Sequence, residues 1–207
     1  MLDVLLSFDP ALLVAFVLAG LLLNITPGAD FVFISASSIA GGPKVGICAA
    51  LGVNLGILVH VCAAAAGLSA VLIANPAAYD LVRYAGAAYL LYIAWQSWNA
   101  IGVLADGQSA QSIKRAIGRG FVTNVLNPKT ALFIFAFIPQ FTNPSIGPIW
   151  MQILILGAIF LVNGFVFAMT LAVVTGTFAD ALRTRVRILN KITAILFGGL
   201  AARLIID

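Results

Sequence analysis

The sequence has no glutamate. All seven acidic residues among its 207 are aspartates, and Asp, Lys and Arg together supply 9% of the chain. A soluble domain carries about 25% charged residues, because its surface faces water. So little charge excludes a soluble globular enzyme, a disordered chain and a nucleic-acid-binding domain. Without glutamate there is no H-E-x-x-H metalloprotease pattern, and neither G-x-S-x-G nor a phosphate-binding loop occurs. There is a single histidine, and there are two cysteines. Cys48 and Cys62 share one apolar stretch, roughly 21 Å apart along a helix and beyond disulfide reach. They read as small packing residues. The first ten residues hold Asp3 and Asp9 but no Lys or Arg. A secretory signal needs a basic start, so the first apolar run is expected to be a retained span, although Ser35-Ala36-Ser37 imitates a cleavage site.

What is present is apolar: 62% hydrophobic residues and a mean hydropathy of +1.11. This composition fits an all-α polytopic membrane protein with most of its mass in lipid. Six segments approach the roughly 20 residues that cross a bilayer as a helix. They run from about Ala11 to Ile39, Val45 to Ala74, Ala78 to Trp98, Arg119 to Phe141, Ile149 to Thr177 and Ile188 to Leu204. Turn chemistry separates them at Gly41-Gly42-Pro43, Asn75-Pro76, Asn143-Pro144 and Gly147-Pro148. Membrane β-barrel alternation is lacking. One transmembrane domain over 1–207 is expected: a first repeat over about 10–100, a polar link over about 99–118 and a second repeat over about 119–207.

The basic residues orient the spans. With six spans, one face holds both termini and carries Arg83 and Arg203. The opposite face carries Lys44, Lys114, Arg115, Arg119, Arg183, Arg185, Arg187 and Lys191. Positive residues stay in the cytoplasm, so the termini are expected outside and the three basic links inside. The net charge of +4 is then topological and needs no anionic partner.

Two spans carry matching interruptions. Pro27 breaks the first and Pro128 the fourth, with Thr26 and Asn127 before them and Asn24 and Asn124 a few residues upstream. Thr and Asn are good N-caps, and proline suits the first helical position. Both sites therefore read as half-helices starting in mid-membrane, at Pro27-Gly28 and Asn127-Pro128. Three spans separate the two, so a three-plus-three repeat is inverted, an architecture of secondary transporters. Irregular backbone at that depth is tolerated against protein or a watery cavity.

Asp30, His60 and Lys129 are the ionisable residues deep in the spans. An Asp or Lys at mid-helix costs about 2.5–3.5 kcal/mol unless paired or solvated. Asp30 and Lys129 read either as a structural ion pair or as the two ends of a zwitterion site. In the second case Asp30 takes an ammonium, and Lys129, Asn127 and the helix starts take a carboxylate. His60 reads as an interhelical hydrogen-bonding group or, with Asp30, as a proton-coupling group. Asn54, and Asn163 as its mirror, are cavity lining or interhelical glue. Gly52 and Gly56, like Gly42 and Gly46, allow close helix contact within the subunit or in a homodimer.

Several of these stretches together resemble the lysine exporter / homoserine–threonine resistance (LysE/RhtB) family. They are Pro27-Gly28-Ala29-Asp30, Gly41-Gly42-Pro43-Lys44-Val45-Gly46, Ala50 to Gly56 with His60, Tyr84 to Tyr92 with Trp95, Gly120 to Asn124, Asn127-Pro128-Lys129 and Phe137 to Phe141, with the Gly-rich Phe197-Gly198-Gly199-Leu200 in the last span. Ala29 departs from the pattern, standing where a second proline is usual. The resemblance implies an amino-acid exporter of a bacterial inner membrane, driven by an ion gradient, with no cofactor and with an amino acid and the bilayer as partners. A metal-cation exporter is the alternative. Paired-aspartate proteolysis would need a second in-membrane acid beside Asp30.

Overall fold

The computed structural model describes residues 1–68 and 112–183 continuously, with individual helical residues between 84 and 99 and between 191 and 202. Among the described residues the chain is helical and has no strand. The continuous helices are α1 (Leu2–Leu6), α2 (Pro10–Ile25), α3 (Ala29–Ala63), α4 (Ile113–Val125), α5 (Pro128–Phe137) and α6 (Ile149–Arg183). The third expected span and the sixth lie largely outside the described residues.

Helix α2 begins where the sequence places a start: Asp9 caps it, accepting from the Ala11 N–H at 2.8 Å, and Pro10 fills its first turn. Helix α3 is nominally continuous but is two limbs, 29–41 and 43–63. Gly42 between them has φ 78°, a left-handed conformation that suits glycine. A Cβ built on Gly46 would lie 2.8 Å from the Ser38 Cβ. In a straight helix eight residues span about 12 Å, so the chain doubles back at Gly42-Pro43. α2 and the first limb therefore meet at one break, and the second limb, extended by a π-helical turn over Ala64–Leu68, turns back beside the first.

Helices α4 and α5 meet at the second break, bent by 52°. α4 starts at Ile113, not near Arg119 as the hydropathy suggests, because its first turns are amphipathic. Lys114, Arg115 and Arg119 are exposed while Ala116 and Gly120 are buried against the second limb of α3. α6 likewise runs past Thr177 to Arg183. Its residues 149–177 are long and apolar enough to cross a membrane.

Glycines set the helix contacts. Gly52 lies against the Ile117 carbonyl, Gly56 against Asn124, and Gly120 against the Ala49 carbonyl, so α4 and the second limb touch backbone to backbone. From Gly52 on Ile117 and Phe121 to Gly56 and His60 on Asn124 the numbers rise together, so the two helices run parallel. The pairs Pro43–Gly176, Gly46–Ala172 and Val61–Gly157 run the other way, so α6 lies antiparallel to that limb. α2 runs parallel to α6, through Gly20 on Phe160 and Asn24 on Gly164. It runs antiparallel to α5, with Phe16 near Phe137 and Leu23 near Lys129. Gly46, Gly52 and Gly56 thus serve contacts within the subunit, whereas Gly42 serves the turn.

An aromatic cluster fixes α5. Phe133 stacks on Phe137 at 4.6 Å and meets Phe160 of α6 at 5.2 Å, while Phe141 meets Phe16 of α2 at 5.2 Å. Each such pair adds about 0.5–1.5 kcal/mol beyond its burial. Gln152, fully buried, clamps the turn before α6, donating to the Asn143 and Gly147 carbonyls and accepting from the Asn143 N–H.

Candidate functional site

The two breaks meet. α2 ends at Thr26, whose hydroxyl donates back to the Leu22 carbonyl at 2.8 Å. The next helix is capped by Gly28 and begins at Ala29. This corrects the expected N-capping role of Thr26: Thr26 closes the preceding helix, and Pro27 stands in the connection and not at the first helical position. Ala29, replacing the usual proline, takes that position without difficulty. The second break follows the expected pattern. Asn127 caps α5, its Oδ1 accepting from the Lys129 N–H at 3.0 Å, and Pro128 is the first helical residue.

Asp30, in the first turn of its half-helix, reaches across to the second break. Its Oδ2 accepts from Asn124 Nδ2 at 2.8 Å, Asn127 Nδ2 at 2.8 Å and the Thr130 hydroxyl at 3.1 Å. Lys129 reaches the opposite way. Its ammonium donates to the carbonyls of Leu23 at 2.8 Å and Thr26 at 2.7 Å, the open carbonyl end of α2. Gly28 makes room for it: a Cβ there would sit 3.2–3.3 Å from the lysine Cδ and Nζ. Cations favour helix C-termini and carboxylates favour N-termini. Each break therefore neutralises the charge that the other sends across.

Not every polar atom is used. Asp30 Oδ1, Asn24 Nδ2, Asn54 Oδ1 and Asn124 Oδ1 are buried with no hydrogen-bond partner. Asn54 is oriented by its own Nδ2, which donates to the Ala50 carbonyl. Asn24, Asp30 and Asn54 line one cavity of about 40 Å³, walled by Phe31, Ile57, Phe160 and Gly164 among others. A second cavity, of about 30 Å³, joins Asn24, Thr26, Gly28, Asp30, Asn127 and Lys129. Ligand pockets hold about 300–1,000 Å³, so the site is closed around room for a few waters at most.

The structure thus gathers Asn24, Thr26, Gly28, Asp30, Asn127 and Lys129 around one cavity, with Asn54 at its neighbour and Pro27 and Pro128 in the backbone that shapes them. Asn124 joins through Asp30. His60 is one step removed: its Nε2 lies 3.1 Å from the Asn124 carbonyl, at the end of α4. Asn163 is not a mirror of Asn54, since it donates to the Val17 carbonyl and braces α2 on α6. Sequence reasoning missed Thr130. Its signal was faint, a hydroxyl three residues after the cap Asn127 and so on the same face of the first turn.

A helical membrane protein is the class that this fold and site define, with two helix breaks that brace each other across a polar cavity. The family model described as LysE type translocator matches residues 21–207, and the chain belongs to that family. It is 32% identical to the homoserine/homoserine lactone efflux protein of Salmonella typhimurium over 69% of this chain and 70% of that one. It is 31% identical to the leucine efflux protein of Klebsiella pneumoniae over 87% and 88%. An uncharacterized membrane protein of Bacillus subtilis is 34% identical over 71% and 75%. No solved structure matches.

Proposed function

We propose that this protein exports amino acids or close analogues from the bacterial cytoplasm, by alternating access driven by an ion gradient. The observation that carries the reading is the divided use of the Asp30 carboxylate. One oxygen is held by three donors; the other is buried without a partner beside a cavity that also presents the unpartnered Asn54 Oδ1 and Asn24 Nδ2. A substrate ammonium satisfies the two acceptors. Its carboxylate is taken by Asn24 and, once the end of α2 moves away, by Lys129 with the helix starts at Gly28 and Pro128. The efflux relatives support the same substrate class.

The helix directions support an inverted repeat within one transmembrane domain. Exchanging α2 with α4, the first limb with α5, and the second limb with α6 turns the parallel α2–α6 contact into the parallel α4–second-limb contact. It also turns the bond from Lys129 to the end of α2 into the reverse crossing from Asp30 to the end of α4. Rocking one repeat against the other then separates the breaks and opens the cavity. With the basic links in the cytoplasm, both termini lie outside the inner membrane. Asp30 is the coupling group, and His60 positions it through Asn124. The small-residue faces are used within the subunit, and a homodimer would have to form elsewhere.

Efflux of a labelled amino-acid panel from proteoliposomes tests the reading, wild type beside Asp30→Asn, with and without a proton gradient. Gradient-dependent efflux of one group of amino acids, lost in the variant, is expected. Unchanged driven efflux in Asp30→Asn would sink it.

A further inference from the structure

The first limb of α3, residues 29–41, carries three buried hydroxyls that use no protein partner: Ser35, Ser37 and Ser38. A helical Ser or Thr ordinarily bonds the carbonyl one turn back. Elsewhere in this chain Thr26, Thr170, Thr175 and Thr177 do so at 2.7–2.9 Å. The three serines are thus set apart from the other buried hydroxyls. A buried polar group left unsatisfied costs about 1–3 kcal/mol, and the bilayer offers no remedy.

Their placement gives that cost a purpose. At 100° per residue, Asp30, Ile34, Ser37 and Ser38 fall within about 100° of one another on one side of the limb, while Ser35 points about 140° away from Asp30. Ser37 lies about 10 Å along the axis from Asp30, towards the turn at Gly42-Pro43-Lys44. Asp30, Phe31 and Ile34 already line the cavity, so Ser37 and Ser38 continue the same wall. In this structure that wall is shut, with Ser38 against Gly46 and Gly46 against Ala172 of α6. The limb is bounded by two joints, Pro27-Gly28 and the left-handed Gly42, so it can swing as a unit.

We infer that the wall formed by Ser37 and Ser38 is the lining of a water-filled passage from the Lys44 side to Asp30, closed here and hydrated when the first limb swings away from α6. The inference rests on the transporter reading, yet its test needs no substrate. Single cysteines are placed at Ser37 and Ser38 in a Cys48→Ala, Cys62→Ala background. A sulfonated, membrane-impermeant maleimide is applied to right-side-out and inside-out vesicles. Lys44→Cys, at an exposed position, reports which side the turn occupies. Ala36→Cys, equally buried but on the far side of the limb, is the dry control.

Labelling of Ser37→Cys from the side that labels Lys44→Cys, at least about tenfold faster than Ala36→Cys, is expected. If Ser37→Cys fails to fold, Ser38→Cys carries the same expectation. Rates no faster than Ala36→Cys in folded protein, or labelling solely from the opposite side, overturn the passage. Labelling as expected with no amino acid transported would instead leave the passage standing and remove the proposed substrate class.

Discussion

The two breaks are built from the same kinds of residue but solve opposite problems. The Asn127-Pro128 break is closed by its own side chain: Asn127 caps the new helix and is left with an amide to donate. The Pro27-Gly28 break has no side-chain cap on its new helix, and its old helix ends in carbonyls that are filled from across the site. One break is rich in donors and the other in acceptors. A single carboxylate and a single ammonium, exchanged between them, complete both. The lesson is that the Asp30–Lys129 pair need not be a direct ion pair to hold the breaks together. The two charges are taken up by backbone, amide and hydroxyl partners, which leaves one carboxylate oxygen without a partner beside the cavity.

Removing one charge at a time should break this symmetry in different ways. The largest effect is expected from Lys129→Met, which leaves the Leu23 and Thr26 carbonyls buried without donors. At about 1–3 kcal/mol for each orphaned group, detergent-solubilised protein should lose about 2–6 kcal/mol of stability in a denaturation series. Unchanged stability would show that the first break does not depend on the second.

Asp30→Asn should act on transport rather than folding. An amide oxygen in the Oδ2 position still accepts from Asn124, Asn127 and Thr130, while the acceptor offered to the cavity becomes a donor. Substrate affinity should fall by about 10- to 100-fold, matching a charge-assisted bond of roughly 1.5–3 kcal/mol. Isothermal titration with a transported amino acid measures it, and an unaltered affinity would move the ammonium site elsewhere.

Asn127→Ala and Asn127→Asp sharpen the distinction between capping and donating. The alanine variant loses both roles, with about 1 kcal/mol of the loss from the cap. The aspartate variant keeps the cap but sets a second carboxylate against Asp30. Thermal unfolding should be lowered more in the alanine variant if capping dominates, and transport more in the aspartate variant if the donor to Asp30 does.

The smallest effect is expected from His60→Gln. Glutamine can still donate to the Asn124 carbonyl, so stability should shift by less than about 1 kcal/mol and gradient-driven efflux should persist. Loss of driven efflux with downhill efflux intact would instead give His60 a proton-carrying role of its own.

Much of the fold was legible because it follows from local rules. Low charge and long apolar runs called for membrane helices, and Gly42-Pro43 and Asn143-Pro144 marked turns that the structure keeps. Asn127-Pro128 announced a helix start, and it is one. Thr26-Pro27 gave the same signal and misled, since a threonine can close the helix behind it by bonding one turn back as readily as it can cap the helix ahead. The start of α4 was missed because hydropathy is blind to an amphipathic first turn. Its apolar face, Ala116 and Gly120, registers as helix only once the second limb of α3 is there to cover it.

The site divides along the same line. By itself the sequence determined that Asp30 and Lys129 sit in the first turns of two half-helices within apolar spans, since helix starts and burial follow from proline, capping residues and hydropathy. It also determined the family. Only the tertiary structure decided where those side chains reach, because that depends on how α5 lies against α2, and the Phe16, Phe133, Phe137, Phe141 and Phe160 cluster sets that packing across more than a hundred residues of chain. With α5 in that position, Lys129 falls on the open carbonyls of α2 and three donors fall on one oxygen of Asp30. No local pattern encodes such a convergence, because every bond in it joins residues brought together by packing alone.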